Sequence, residues 1–233
     1  MLRETIRWLS LATVLFLCLL TALRWSGAVA LKDIRVTGVY HLSPQWVKNL
    51  TGFSPGANMF RLDYAGAKER IEEEPWVADV HLRRSFFRGI VEVEIAERKP
   101  VGRVRLEGGK VFWIDADGLI LGPTDALPPV AEGVEAIRGR VPQEVAYVLR
   151  VYSHYPRCLS AFPYLDFSAA DDVILRSGDG ELSVHCGPPS RVPGILPLLE
   201  EFLAHRPDLK PFGEIDCRWG QELILVPRGR GGG

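Results

Sequence analysis

The sequence predicts an α+β chain: an N-terminal transmembrane helix over residues 8–25, a small β-α-α-β-β domain over 31–99, and a mixed β-sheet domain with flanking helices over 100–227. Three observations carry this reading. Trp8 to Leu23 is a run of 16 residues without a charge. Short stretches on either side of two helix-like segments alternate apolar and polar residues with period two. After Pro100 such stretches recur at close spacing, broken by Gly- and Asp-rich turns. Apolar residues make up 47% of the chain and charged residues 24%, the usage of a sequence that builds a core, which excludes disorder as its general description. With 233 residues there is no room for a polytopic membrane protein or a long outer-membrane barrel beside these elements.

Arg3 and Arg7 precede the apolar run, and Arg24 and Trp25 follow it. As a helix, Trp8 to Trp25 covers ~26 Å at ~1.5 Å per residue, close to the hydrocarbon thickness of a bilayer if Arg24 reaches outward. The basic flank keeps residues 1–7 in the cytoplasm and exports everything after Trp25. A cleaved leader is the competing reading, because Ala28-Val29-Ala30 has the form read by signal peptidase; both readings export the remaining chain. Net charge is −1 over the whole sequence, and −3 without Arg3, Glu4, Arg7 and Arg24. No basic field for nucleic acid is present.

In the first exported segment, Leu31 to Thr37 reads as a strand with Ile34 and Val36 on one face. Ser43-Pro44 supplies an N-cap and a first-turn proline for a helix through Leu50. Gly52 to Asn58 is a loop, Asp63 caps a second helix, and Pro75 stops it. Val77 to Arg83 alternates with Ala78, Val80 and Leu82 on one side. Ile90 to Glu97 places Val91, Val93 and Ile95 inward and Glu92 and Glu94 outward. Trp76 reads as a core anchor, and the cations Arg98, Lys99, Arg103 and Arg105 as a solvated strand face. Phe86-Phe87, at the turn between the last two strands, is a candidate contact for a partner or the bilayer.

In the second segment, strands are expected at Val101–Leu106, Lys110–Ile114, Leu119–Leu121, Leu165–Phe167, Val173–Arg176, Glu181–Cys186, Glu214–Trp219 and Leu223–Val226. Helices are expected at Pro142–Tyr152 and Val192–Ala204, and a loop from Pro128-Pro129. Asp115-Ala116-Asp117-Gly118 lacks the further acidic ligands of a calcium loop and reads as an Asx-type turn. Residues 228–233 read as a disordered tail.

Catalytic and metal motifs are missing from the sequence. There is no G-x-S-x-G, P-loop or H-E-x-x-H, and no C-x-x-C among Cys18, Cys158, Cys186 and Cys217. No cofactor or metal is expected. Cys186 and Cys217 are the more plausible pair if any disulfide forms. A hydrolase built from Ser183, His185 and Asp166 is the weak enzymatic alternative, and Asp171-Asp172 reads as a solvated pair at a strand start.

The wording of both segments resembles a known family. "IRVTG", "GANMFRLD", "EEEPWVADVHLRR" and "VEVEIAERKPVGRV" look like the POTRA domain of the FtsQ/DivIB cell-division proteins. "FWIDADGLIL", "YLDFSAADDVILRSGDGELSVHCG" and "EIDCRWGQELIL" are similar to that family's β domain, in family order. Val39 and Phe86-Phe87 stand where the family usually has Asn and often Trp-Pro. The resemblance implies a non-enzymatic, single-pass protein of the cell inner membrane at the division septum. It implies FtsB/FtsL-type coiled-coil proteins and other divisome proteins as partners, bound by β-strand augmentation and linked to septal peptidoglycan synthesis. It places the contact near the final strands, at Arg218, Trp219, Leu223 and Leu225, with a buried core role for Trp219 as the alternative. A POTRA-containing export or outer-membrane assembly factor is the runner-up.

Overall fold

The computed structural model describes residues 2–25, 29–125, 130–206, 208–220 and 222–228, with the side chains of 2–6, 20 and 23–25 excepted. Ala28 of the leader motif, Pro128-Pro129 and the tail 229–233 lie outside the described residues. The chain divides into two compact units at Arg98/Lys99, one residue before the boundary the sequence suggests.

In the first unit α1 (Leu2–Trp25) contains the uncharged run. Its described side chains are all exposed. Among the described residues, which leave out the side chains of 2–6, 20 and 23–25 of α1, no helix is long and apolar enough to cross a membrane.

After it come β1 (Asp33–Thr37), α2 (Pro44–Thr51), α3 (Tyr64–Glu72), β2 (Val77–Ser85) and β3 (Ile90–Glu97). The three strands form a sheet in the order β1-β3-β2, with β1 parallel and β2 antiparallel to the central β3. Val91, Val93 and Ile95 are buried against Val47 and Ile71 of the two helices, while Glu92 and Glu94 point away, as the alternation requires. Asp63 caps α3 through the Gly66 N–H at 3.0 Å. Ser43 contributes only its carbonyl to α2, since its hydroxyl makes no cap bond.

The expected inward face of β2 needs correction. Ala78 is exposed and Val77 is buried with Val80, because a bulge between Val77 and Asp79 inserts one residue and flips the first pair of side chains. Gly38, at φ 81°, closes against β3 so tightly that a Cβ would lie 2.0 Å from the Ile95 carbonyl oxygen.

The second unit holds β4 (Pro100–Arg105), β5 (Val111–Asp115), β6 (Ile120–Pro123), β7 (Val130–Glu132), α4 (Gln143–Tyr152), α5 (Pro156–Ala161), β8 (Tyr164–Ala169), β9 (Asp172–Arg176), β10 (Ser183–His185), α6 (Val192–His205), β11 (Phe212–Asp216) and β12 (Ile224–Pro227). They build one sheet ordered β12-β11-β10-β9-β8-β7-β4-β5-β6. Apolar faces of α4 and α6, including Val148, Leu149, Leu196 and Leu199, share its core with Leu165, Leu175, Val184 and Ile215.

Two elements were not expected, β7 and α5. β7 lies parallel between β4 and β8 and joins the two halves of the sheet. The turn at Asp115 is of the Asx type, its carboxylate accepting the N–H groups of Asp117 and Leu119 at 2.9 and 2.8 Å.

Candidate partner-binding edge

Among the described residues β12 is the end strand of the larger sheet and pairs with β11 alone, in the register Ile215 with Leu225 and Asp216 with Ile224. The Arg228 N–H donates to the Pro211 carbonyl at 2.9 Å, which fixes one face of the strand toward β11. Alternation then turns the N–H and C=O of Leu225 to the open side, together with Pro227, which has no N–H to leave unpaired. Arg228 also reaches Glu181 at 2.8 Å, so the expected tail begins one residue too early. Side chains divide by face as well. Leu223 and Leu225 are half-buried on the core, whereas Ile224 and Val226 are exposed.

The expected strand to Trp219 stops at Asp216: the Cys217 N–H still donates to the His185 carbonyl at 2.8 Å, and Arg218 to Gly220 then leave the sheet. Asp216 causes this turn by accepting the Arg218 N–H at 2.9 Å and the Arg218 guanidinium at 3.0 and 2.7 Å. Those bonds from Arg218 outweigh burial and hold the Asp216 carboxyl down to about 2. Gly220, at φ 79°, completes the turn.

A residue with no sequence signal secures the loop. The Arg191 guanidinium, at the start of α6, donates to the carbonyls of Arg218, of Gly220 at 2.8 Å and of Cys217 at 3.4 Å. Only the fold brings it here, across 26 to 29 positions of sequence.

Trp219 stands on this clamped loop with 69% of its surface exposed, which removes the core reading for it. The Arg218 side chain is engaged within the chain by Asp216 at 2.7 Å, and its guanidinium also lies 3.7 Å from Asp172. Asp172 is no solvated residue, its side chain being 13% exposed. It takes the Gly187 N–H at 2.8 Å and sits 2.7 Å from His185 Nδ1. His185 therefore has Asp172 as its partner, while Asp166 is bonded to Ser168 and Arg176. No hydrogen bond joins Ser183, His185 and Asp166, so the hydrolase set is not assembled.

Cys158, Cys186 and Cys217 are buried free thiols. Burial pushes all three up, Cys217 to about 12. Among the described residues no group of three His, Cys, Asp or Glu could hold a metal ion.

Residues 29–98 match the family described as POTRA domain, FtsQ-type. Proteins named cell division protein FtsQ are similar over more of the sequence. That of Corynebacterium glutamicum is 26% identical, covering 64% of this chain and 67% of that protein. That of Rhodothermus marinus is 29% identical over 86% of this chain and 79% of its own length. That of Anaeromyxobacter sp. is 31% identical, and there the match spans 38% of the relative. Residues 29–98 thus form an FtsQ-type POTRA domain, and most of the chain is similar to proteins named FtsQ.

The residues that carried the resemblance have physical roles in the FtsQ-type POTRA domain. Glu97, in "ERKP", accepts the backbone N–H groups of Tyr40, His41 and Leu42 at 2.9 to 3.1 Å. Burial alone would raise its pKa, and these three bonds with the His41 side chain bring it below the usual value. Trp76, in "EEEPWV", is not a core residue. It is half-buried and stacks on His41 with ring centroids 4.2 Å apart, closing the same corner from outside. Phe86 and Phe87 part company: Phe86 stacks on Phe60 at 4.6 Å, and Phe87 is fully exposed. In the second unit the cationic face is partnered rather than merely solvated, with Arg105 2.9 Å from Glu132 and Arg103 over the Trp113 ring.

Proposed function

We propose that this FtsQ-type protein is a non-enzymatic scaffold of the bacterial division machinery. Its α1 anchors it in the cell inner membrane, with the N-terminus cytoplasmic and both folded units outside. Its β12 edge receives a strand from an FtsB/FtsL-type coiled-coil protein, joining that partner to septal peptidoglycan synthesis.

The observation that carries the reading is the open β12 edge beside an exposed, clamped Trp219. A strand added there would pair with the outward amide of Leu225, lie against exposed Ile224 and Val226, and meet the indole at its end. The anchor reading is supported by the 16-residue uncharged run within a 24-residue helix whose described side chains find no protein cover. An apolar helix exposed all round needs lipid or another helix around it.

A photo-crosslinking residue at Ile224 or Val226, in cells carrying the full chain, tests both parts. Cross-links to a short single-pass coiled-coil protein in the inner-membrane fraction are expected. Cross-links only from the opposite edge, β6, would place the interface elsewhere. Recovery in the outer membrane would favour an export or assembly factor.

A further inference from the structure

We propose that the tip of the β2–β3 hairpin docks on the phospholipid surface beside the anchor, with Phe87 as the inserted side chain. This rests on α1 being the membrane anchor.

The first observation is Phe87 itself, which makes no cover for its ring and is fully exposed at the tip. Its neighbour Phe86 is stacked on Phe60, so the turn is held stiff while Phe87 projects. A large apolar ring fixed in the open is costly in water and favourable at a bilayer interface.

The second observation is where the tip lies along the chain. The Lys32 N–H donates to the Gly89 carbonyl at 2.7 Å, and Gly89 lies so near Ala30 that a Cβ would stand 2.7 Å from the Ala30 carbonyl oxygen. The tip is thus tied to Ala30, five positions after the last residue of α1. Five residues span at most ~17 Å at ~3.4 Å each. Ala30, and Gly89 beside it, therefore lie within ~17 Å of the end of α1, where the anchor would meet the membrane surface.

The third observation is charge. Lys32 and Arg88 flank the tip, and Arg84, lying over the Tyr64 ring, precedes it; all three are exposed. Of the nearby carboxylates, Asp33 is paired with Lys48 at 3.3 Å, which leaves Asp63, capping α3, as the acidic charge beside them. Cations around a single aromatic suit an interface that presents phosphate above hydrocarbon.

The test uses the full chain reconstituted in vesicles of phosphatidylcholine and phosphatidylglycerol, with no other protein. A bimane label is placed on Phe87→Cys, on Arg88→Cys, which leaves Phe87 in place, and on His81→Cys, exposed on β2 away from the tip. The unsubstituted protein, whose thiols outside α1 are buried, gives the background. Nitroxide-bearing lipid should quench the labels at 87 and 88 several-fold more than the label at 81, and aqueous iodide should show the reverse order. Equal quenching at all three positions would overturn the proposal, and is also the result expected if a protein partner covers Phe87 instead. Resistance of the same samples to alkaline carbonate reports separately on the anchor. Retained protein with equal quenching sinks the docking alone, while released protein with equal quenching sinks both.

Discussion

Replacing Trp219 by alanine should weaken the partner complex by roughly 30- to 150-fold while leaving the free protein folded as before. The side chain is 69% exposed. Full burial of a tryptophan covers up to ~250 Å², so about 170 Å² remains for a partner to cover. At ~25 cal/mol per Å² that is a ceiling of about 4 kcal/mol. Ordering the two surfaces and the carbon that alanine retains reduce it to about 2 to 3 kcal/mol, the range of an interface hot spot. Titration calorimetry with a segment of an FtsB-type partner measures the loss directly. The free protein loses only an exposed ring and its contact with Asp216, so its Tm should move by less than about 3 °C. An unchanged Kd for a variant of normal Tm would refute the placement of the interface. A large fall in Tm would show that the ring supports the loop instead of projecting from it.

Four further outcomes follow from the same geometry. Arg191→Met should release the carbonyls of Cys217, Arg218 and Gly220, and amide exchange in residues 217–220 should rise at least tenfold while the core of the sheet stays protected. Glu97→Ala leaves three N–H groups without their acceptor and should lower the stability of the first unit by about 2 to 3 kcal/mol in urea unfolding, with little effect on the second. Because the folded value of Asp216, about 2, lies below the usual carboxylate value of 3.8, its contribution is complete above about pH 4 and is lost as pH falls through 2. Solvent screening of the partly exposed Arg218 limits it to about 1 kcal/mol, and Asp216→Asn should flatten that part of the profile. Cys158, Cys186 and Cys217, buried and with raised pKa values, should react with a thiol reagent at pH 8 only on unfolding.

Much of the fold was legible because it rests on local signals. Alternation in Ile90 to Glu97 fixed the inward face of β3, and Asp63 announced α3 through a cap that the structure contains. Where expectation failed, a longer-range or finer feature intervened. The bulge at Val77/Asp79 inverted the first two positions of β2, an event that leaves no mark in a period-two pattern. β7 is three residues long, too short to show any period, and is held by parallel neighbours on both sides. Trp76 looked like a core residue because tryptophan usually is one, but its flat contact is with His41, 35 positions earlier in the loop between β1 and α2.

The candidate edge was legible in one respect and hidden in another. Arg218 and Trp219 could be picked out by resemblance, yet their division of labour depends on Asp216. That carboxylate binds Arg218 inward and bends the chain out of β11, so the adjacent indole leaves the sheet plane. Which strand ends the sheet is a property of connection rather than composition. α6 carries the chain over from β10 to a parallel β11, and the antiparallel return then has only the far side of β11 to occupy. β12 is open because that crossover fills the near side first. Its short, mixed sequence Ile224 to Pro227, with a proline whose missing N–H falls on the open side, is what an edge tolerates and a central strand does not. A partner strand is therefore offered a few backbone bonds only, and the specificity of the contact has to come from Trp219 and the two exposed aliphatic side chains beside it.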